Sequence, residues 1–358
     1  MCAFVKNEFV IEGVEAVPLL YDNGYFGRPK EDGLYLRYVE AAFLLYKQKI
    51  EIEKPDKSGL FDFETFFEYA ASIEDYFELK YIVYKDLRER GYYIQSSAVD
   101  LRLYARGTHP GKSPAKSFVT VHSERISLPL RDLVKKLKST NNTHKELILA
   151  VVDEESDITF YRISDPDIKE QFYGNVIRQF PKVKKLERAT IIKERVILWD
   201  KTLSQRLYKD YFFGRFLDEE RLQLSLTEAL YLAKNDILEI EDLNNKKMSF
   251  EEFTEYASRV ESEFSQKYSV YETLKNRNFL PKTGFKFGTH FRLYNNFTSP
   301  DKLSHSFALL RVIQTDFEFN MQSMSGAVRL ANSVRKNIIF VYDSGNGAEF
   351  IEIERIRM

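Results

Sequence analysis

The chain has 358 residues, which is enough for two or more domains, because single hydrophobic cores rarely grow beyond roughly 250–300 residues. Hydrophobic residues make up 44% and aromatic residues 15% of the chain, which is ample for folded cores. The formal net charge of -1 shows no general excess of basic residues, so a nucleic-acid site, if present, must be a local patch.

The single cysteine, Cys2, excludes an intrachain disulfide, and no cluster of cysteine and histidine has the spacing of a zinc site. The first residues lack the long apolar run of a signal peptide, and no stretch approaches the ~18 apolar residues of a membrane span. We therefore expect a soluble, cytoplasmic protein with no membrane partner.

In chain order, the first half of the sequence predicts a short amphipathic helix over Val39–Leu45 and a longer helix from Phe63. Apolar residues near i, i+3, i+4 spacing mark one face of the longer helix, from Phe63 to Phe77. A further helix follows over Tyr81–Arg90, then strand-like segments such as LRLYARG, and a basic helix over Leu130–Lys138. The apolar run ELILAVVD, an acidic turn and the strand DITFYRI close this half.

The second half repeats this order. Its helices are predicted over Thr227–Ala233, from Ser249, over Tyr268–Arg277 and over Ser325–Arg335, and Ser249 with Glu252 forms a capping box. Residues 63–84 and 250–271 are identical at twelve of 22 positions without a gap. The offset grows from 187 there to 191 between Lys145 and Lys336, so the chain is a tandem duplication.

Three segments point to a family. They are GYFGRP, YIVYKDLRERGY (81–92) and GFKFGTHFRLY (284–294), and they resemble signature segments of archaeal tRNA-intron endonucleases of the two-repeat type. The likeness covers most of both copies. Its most specific part is a spacing in the second copy, where Tyr294 closes FRLY, His305 follows after 11 residues, and Lys336 follows after 31 more.

The resemblance implies an α/β (α+β) fold in which each repeat has a mixed α/β N-terminal subdomain and a nuclease-like α/β C-terminal subdomain. The expected divisions are 1–75 and 76–165 for repeat 1, a linker over 166–192, and 193–262 and 263–358 for repeat 2.

The resemblance also implies an endoribonuclease that excises introns from precursor tRNA at bulge–helix–bulge motifs. The catalytic residues would be Tyr294 as base, His305 as acid and Lys336 as electrostatic stabiliser. Such a reaction uses the ribose 2′-OH as nucleophile, gives 2′,3′-cyclic phosphate and 5′-OH ends, and needs no metal or other cofactor. Histidine suits the acid role because its pKa lies near 6.5.

Tyrosine has a reference pKa of about 10, so a tyrosine base needs cations nearby. Four cations lie close to Tyr294 in the sequence: Lys282, Lys286, Arg292 and Lys302.

The first copy retains Tyr104 and Lys145 but has Ala115 eleven residues after the tyrosine. His109 and His122 lie on either side of the expected place. We therefore expect the first copy not to cleave, unless a slip of the loop lets His122 take over.

Two further groups of residues are assigned by the resemblance. Arg329, with Arg355 or Arg357 from the last strand, would clamp a bulged base between guanidinium planes. The acidic turn of the first copy (Asp153, Glu154, Glu155 and Asp157) would dock beside the catalytic copy of a second chain, giving a homodimer. Without these roles, Arg329 is a solvated helix residue and the acidic segment an ordinary hairpin turn.

Two other functions stay open at this point. A noncatalytic structural or RNA-binding subunit would show decay of the triad in both copies, whereas only the first copy shows it. A metal-dependent DNA nuclease would carry a carboxylate pair with a lysine, such as a D…ExK pattern, and no such group stands out. Each triad residue alone also has an ordinary structural role, such as a half-buried strand tyrosine.

Overall fold

The computed structural model describes residues 2–97, 100–166, 185–294, 299–345 and 347–358. The chain divides into two compact units. The first holds Met1–Ser164, Glu318–Gly326 and Ile353–Met358, and the second holds Asp165–Phe317 and Ala327–Glu352. Each unit is a mixed α/β body containing most of one repeat, which confirms the predicted fold class and the tandem duplication.

The N-terminal part of the first unit is a five-stranded sheet with two helices. The strand order is β3-β4-β2-β1-β5, antiparallel except that β1 and β5 pair in parallel. The bounds are β1 Cys2–Lys6, β2 Phe9–Glu12, β3 Arg28–Lys30, β4 Gly33–Arg37, α1 Tyr38–Tyr46, β5 Glu51–Glu53 and α2 Phe63–Ile73.

The C-terminal part of the first unit begins with α3 and continues as a second sheet with strand order β6-β7-β8-β10-β11. Its parallel pair, β8 with β10, is joined through helix α4. The bounds are α3 Phe77–Glu89, β6 Ile94–Ser96, β7 Leu101–Leu103, β8 Ser117–Ser123, β9 Leu128–Pro129, α4 Leu130–Asn141, β10 Glu146–Val152 and β11 Ile158–Ser164.

The second unit repeats this arrangement, with sheets ordered β14-β15-β13-β12-β16 and β17-β18-β19-β21-β22. Its N-terminal elements are β12 Glu187–Ile192, β13 Arg195–Leu198, α5 Lys201–Lys209, β14 Arg215–Phe216, β15 Leu222–Leu224, α6 Leu226–Lys234, β16 Leu238–Glu241 and α7 Phe250–Val260. The remaining elements of repeat 2 are α8 Phe264–Asn276, β17 Leu280–Thr283, β18 Phe291–Tyr294, β19 Ala308–Val312, β20 Glu318–Phe319, α9 Met321–Ser333, β21 Asn337–Asp343 and β22 Ala348–Ile356. Of these, β20, the first part of α9 and the end of β22 belong to the first unit.

Each unit is built on one hydrophobic core that runs through both of its subdomains. In the first unit, Val10 and Leu36 of the N-terminal sheet share a cluster of buried side chains with Leu103 and Ile148 of the C-terminal sheet. In the second, the cluster includes Val196 together with residues of β18, β19 and β21. The subdomains of a repeat therefore do not have separate cores.

Two predicted elements are corrected by the structure. Helix α1 is not amphipathic, because its residues Tyr38 to Leu44 are all buried, and a helix that is apolar all round lies inside a core. Phe77 does not belong to the helix that starts at Phe63. That helix ends at Ile73, and Tyr76 in the left-handed conformation (φ 56°) turns the chain so that Phe77 opens α3.

The predicted linker over 166–192 lies outside the described residues for 167–184. Its last residues are a strand, Glu187–Ile192, which pairs with β13 and β16 and buries Ala189 and Ile191. The capping box is confirmed, since Glu252 N–H donates to Ser249 Oγ (3.1 Å) and Ser249 N–H donates to the Glu252 carboxylate (3.0 Å). Among the described residues, no helix has the length and apolarity needed to cross a membrane.

Candidate active site

Three strand ends of the second unit meet at one edge of its C-terminal sheet. Strand β18 runs antiparallel to β19, and β19 runs parallel to β21, through the row of paired residues Leu293, Ala308 and Asn337. Tyr294 lies one residue after this row, Lys336 one residue before it, and His305 three residues before it. Because neighbouring strands are about 4.8 Å apart, the backbones of Tyr294 and Lys336 are separated by roughly 10 Å. The three residues of the predicted triad therefore come together at this edge.

Lys336 is buried, and its side chain reaches the segment that carries the histidine. Its Nζ donates a 2.6 Å hydrogen bond to the backbone carbonyl of Ser306, the residue after His305. Burial lowers the pKa of the Lys336 ammonium, and the charge of Arg292 lowers it further. The hydrogen bond fixes the position of the ammonium beside the peptide that holds His305.

The ring of Tyr294 is 4% exposed. It packs in a small apolar cluster with Phe212 and Leu280, against which the partly buried Leu303 also lies. Phe212 has a positive φ of 57°, so the backbone turns sharply where it presents its ring. This packing holds the tyrosine at the end of its strand.

His305 is exposed, and the segment before it is anchored to helix α5. Asp301 accepts a 2.7 Å hydrogen bond from the hydroxyl of Tyr208, and its own N–H donates to Ser299 Oγ at the start of the turn Pro300–Lys302. Residues 295–298, between the tyrosine and this turn, lie outside the described part of the chain. The anchor fixes one side of the histidine segment while the imidazole stays open to solvent.

Arg292 joins these groups electrostatically. Its Nε donates a 2.7 Å hydrogen bond to the carbonyl of Thr283, and its guanidinium carbon lies 5.7 Å from the centre of the Tyr294 ring, within cation–π range. The same carbon lies 6.0 Å from the ring of Phe287, and the Nζ of Lys336 is also 6.0 Å from that ring. In the sequence, Arg292 is one of four cations close to Tyr294, and no motif indicates Phe287.

The cation Lys282 has a different role, because it pairs with a buried carboxylate. Its Nζ lies 3.2 Å from the Glu228 carboxylate. Although burial by itself raises the pKa of the Glu228 carboxyl, Lys282 and the N–H groups of Ser225 and Gly214 hold that pKa below its ordinary value. Lys282 is paired across the β-hairpin with Arg292, so this buried ion pair supports the strand that carries the guanidinium.

A half-buried lysine, Lys275, lies beside this pair. The Nζ of Lys275 is 4.3 Å from the centre of the Phe213 ring. Burial, with the added repulsion of Lys282, lowers the pKa of Lys275 to about 7, although Glu228 opposes the shift. Repeat 1 has Arg88 at this place, stacked 3.7 Å from the ring of Phe26. Nothing in the sequence pattern indicates this half-buried cation.

The matching edge of repeat 1 has a different arrangement. Leu103 pairs with Ser117, and the residue three positions before Ser117 is Pro114, so Pro114 occupies the place of His305. The sequence predicted Ala115 at this place by counting eleven residues from Tyr104. That prediction is wrong by one residue, because repeat 1 is one residue shorter between the tyrosine and the next strand. The hydroxyl of Tyr104 donates a 3.0 Å hydrogen bond to Gln95.

The two histidines of this region are engaged elsewhere. His109 stacks on the ring of Tyr25, with centroids 4.2 Å apart. His122 lies within β8, where its Nε2 is 2.9 Å from the carbonyl oxygen of Ile126 and burial lowers the pKa of its imidazole. Neither histidine lies three residues before β8, the position that His305 has relative to β19 in repeat 2.

The three arginines predicted to hold RNA are all exposed. Arg329 lies on α9, seven residues before Lys336, while Arg355 and Arg357 lie at the end of the last strand and beyond it. Their side chains are thus accessible to a ligand.

The acidic turn between β10 and β11 is a compact hairpin, and its carboxylates have different partners. Asp153 accepts hydrogen bonds from the N–H groups of Glu155 (3.0 Å) and Asp157 (2.8 Å), so it shapes the turn. Glu154 pairs with the exposed Arg125 at 2.5 Å. The side chains of Glu155 and Asp157 are exposed at the tip.

Two family models match the chain, each of them twice. The N-terminal domain of tRNA intron endonucleases matches residues 3–67 and 188–254, and the catalytic C-terminal domain matches residues 77–160 and 264–350. The chain belongs to the tRNA intron endonuclease family. Tyr294, His305 and Lys336 all lie within the second match to the catalytic domain.

Archaeal relatives match this endonuclease over its full length. A tRNA-splicing endonuclease of Methanosarcina acetivorans is 50% identical, with 99% of both chains covered. One of Methanosarcina mazei is 51% identical over 99% of this chain and 98% of the relative. One of Haloarcula marismortui is 32% identical over 98% of each. This chain is therefore a tRNA intron endonuclease, an enzyme of tRNA processing.

Proposed function

We propose that this endonuclease cuts precursor tRNA at bulge–helix–bulge motifs, without a metal ion, and leaves 2′,3′-cyclic phosphate and 5′-OH ends. The proposal rests on one observation above all, the meeting of Tyr294, His305 and Lys336 at one sheet edge. A base, an acid and a cation are the groups that cleavage by a neighbouring 2′-OH requires.

In this mechanism, Tyr294 removes the proton of the 2′-OH, and the 2′ oxygen attacks the adjacent phosphorus. His305 donates a proton to the 5′ oxygen as its bond to phosphorus breaks. The ammonium of Lys336 stabilises the extra negative charge of the pentavalent phosphorane. Arg292 adds a second positive charge near Tyr294 and Lys336, which favours the phosphorane.

We further propose that the exposed Arg329, with Arg355 or Arg357, holds a bulged base by stacking of guanidinium planes. A base that has left the helical stack offers both faces of its ring, so such a clamp selects the bulge with little regard to sequence. Exposure of all three arginines is the feature that supports it.

The active form in this proposal is a homodimer. The carboxylates at the tip of the acidic turn, Glu155 and Asp157, dock beside the catalytic repeat of a second chain. A bulge–helix–bulge offers two cut sites, whereas one chain carries one complete triad. Two chains therefore supply one active site for each cut.

The test is cleavage of an intron-containing precursor tRNA by the full chain in EDTA, followed by analysis of the new ends. Cleavage with cyclic phosphate ends is expected, and a single 2′-deoxy nucleotide before the cut should abolish it. A strict need for Mg²⁺ in the chemical step, with 3′-OH products, would refute the mechanism.

A further inference from the structure

A short turn beside the proposed active site holds two phenylalanines around a lysine. Residues Phe285–Phe287 form one turn of 3-10 helix, closed by hydrogen bonds from Phe287 N–H to Gly284 O (2.8 Å) and from Gly288 N–H to Phe285 O (3.0 Å). The base of the turn is closed by Gly284 N–H, which donates to His290 O (3.0 Å). A Cβ on Gly284 would lie 2.3 Å from Thr289 Oγ1, so this position requires glycine. The turn is therefore a fixed platform.

The exposure of one of these rings is unusual. Phe285 is 87% exposed, although burial of a phenylalanine side chain stabilises a folded chain. Phe287, two residues on, is half-buried and lies 6.0 Å from both Lys336 Nζ and the Arg292 guanidinium carbon. The exposed ring of Phe285 thus lies two residues from the ring that the cations of the proposed active site approach.

The surroundings indicate what kind of ligand would cover this ring. Lys286 is exposed between the two phenylalanines, and Arg292 and Lys336 lie next to Phe287. A flat aromatic ring among cations suits a ligand with a planar base and an anionic backbone. Sites for unpaired nucleotides combine these features, because bases stack on aromatic rings while cations neutralise the phosphates.

The matching turn of repeat 1 lacks these features. There the paired residues Gln95 and Arg102 are seven positions apart, whereas Lys282 and Arg292 are ten apart, so repeat 2 has three residues more. The shorter turn of repeat 1 reads SSAVD and contains no aromatic residue. The aromatic turn therefore occurs in the repeat with the complete triad and not in the other.

We propose that the turn Gly284–Gly288 is a stacking subsite for one unpaired base of the substrate RNA close to the cut, with Phe285 as the stacking residue. This subsite is separate from the arginine clamp, and it rests on the proposed cleavage of RNA at the edge that holds Tyr294 and Lys336. The planar ring of Phe285 binds the base face, and Lys286 lies where it meets the adjacent phosphate.

The experiment compares Phe285→Ala, Phe285→Leu and Phe285→Trp in the full chain, with binding and single-turnover cleavage of precursor tRNA measured for each. Ala and Leu should weaken RNA binding roughly 5–100-fold, the range for loss of one stacked base, while the rate at saturating enzyme changes little. Trp should bind like the native chain. Leu243→Ala is the control, because Leu243 is a 69% exposed apolar residue of the same unit outside the turn.

A second arm identifies the base. Abasic nucleotides are placed one at a time in the unpaired positions of the substrate. At one position the abasic change should weaken binding by the native chain but have little further effect with Phe285→Ala. The proposal is overturned if Leu binds as well as Phe, or if no abasic position couples to Phe285.

The alternative in which Phe285 meets another protein chain is tested by sedimentation. Phe285→Ala should leave the association state unchanged, and loss of the oligomer with unchanged RNA binding by the remaining species would overturn the proposal. A native chain that binds RNA but cannot cleave it in EDTA would refute the proposed mechanism and leave the stacking result to be judged by binding alone.

Discussion

The ammonium of Lys336 and the backbone carbonyl of Ser306 are joined by a 2.6 Å hydrogen bond across two neighbouring strands. This bond connects the lysine that precedes β21 to the peptide that follows His305 and precedes β19. The position of His305, the proposed acid, therefore depends on Lys336, the residue proposed to stabilise the phosphorane.

Loss of His305 should affect chemistry and spare binding. We expect His305→Ala to lower the single-turnover rate roughly 10²–10⁴-fold, the usual contribution of a general acid, with little change in RNA affinity. His122→Ala is the matched control, because its ring is held within β8 by the Ile126 carbonyl, and it should have a mild effect. The opposite result for the two variants would place the active copy in repeat 1.

Arg292 should matter through its charge and its hydrogen bond to Thr283. We expect Arg292→Ala to reduce the saturating rate roughly 10²-fold or more, the scale of one lost electrostatic contact to the transition state. Arg292→Lys keeps the charge without the Nε donor. Its saturating rate should lie between those of the native chain and Arg292→Ala. Arg102→Ala, at the matching position of repeat 1, should have no effect on the rate.

Arg292→Ala should also shift the pH dependence of the cleavage rate. Arg292 lowers the pKa of Lys336, so its removal raises that pKa. Because the proposed role of Lys336 requires the protonated form, activity is lost as pH rises through its pKa. The alkaline limb of the rate profile should therefore move to higher pH in Arg292→Ala, and a limb that stays in place would contradict this coupling.

Lys275 should make folding stability depend on pH. Its pKa is about 7 in the folded chain and about 10.5 when exposed, so the unfolded state binds more protons between these values. Its contribution to stability is complete above about pH 10.5 and is lost as pH falls to about 7. Within that window the free energy of unfolding should change by up to ~1.4 kcal/mol per pH unit.

Lys275→Met should remove this slope and raise stability at pH 7, as measured by urea denaturation at several pH values. Lys275→Arg, which installs the residue that repeat 1 has in Arg88, keeps a charge that does not titrate in this range. Identical pH profiles for the native and Met chains would show that Lys275 has an ordinary pKa.

The acidic turn offers a test of the dimer. Glu154→Gln, Glu155→Gln and Asp157→Asn together should weaken dimerisation and lower cleavage, because close charge pairs at an interface can couple by roughly 1.5–7 kcal/mol. Asp153 is kept because it accepts the hydrogen bonds that shape the turn. Sedimentation equilibrium measures the change.

The control for that experiment removes the same number of charges elsewhere in the first unit, at exposed positions, by Glu51→Gln, Glu64→Gln and Glu68→Gln. This chain should dimerise and cleave like the native one. Equal affinity in both triple variants would mean that the acidic turn is only a solvated hairpin.

Much of the fold can be predicted from the sequence because the chain contains its own comparison. The offsets between repeats align the elements, and the spacing of Tyr294, His305 and Lys336 indicates the site. The position of Pro114 could not be predicted, since a one-residue difference in a loop is invisible until strand pairing fixes the register. The Lys336–Ser306 bond also depends on tertiary structure, because it joins residues 30 positions apart.

Arg292 is an intermediate case. Residues two apart on a strand share a face, so the sequence alone favours Arg292 over Lys286 or Lys302 as the neighbour of Tyr294. The role of Lys282 could not be inferred in this way, because it depends on Glu228, which comes from a distant helix.

The sheet edge of repeat 1 differs from that of repeat 2 by more than the loss of one histidine. Pro114 occupies the acid position, and the Tyr104 hydroxyl is already committed to Gln95. A single reversion, Pro114→His, would restore neither a free tyrosine hydroxyl nor the Lys282 counterpart that Gln95 replaces. Several simultaneous changes would therefore be needed for repeat 1 to gain the arrangement proposed to cleave RNA in repeat 2.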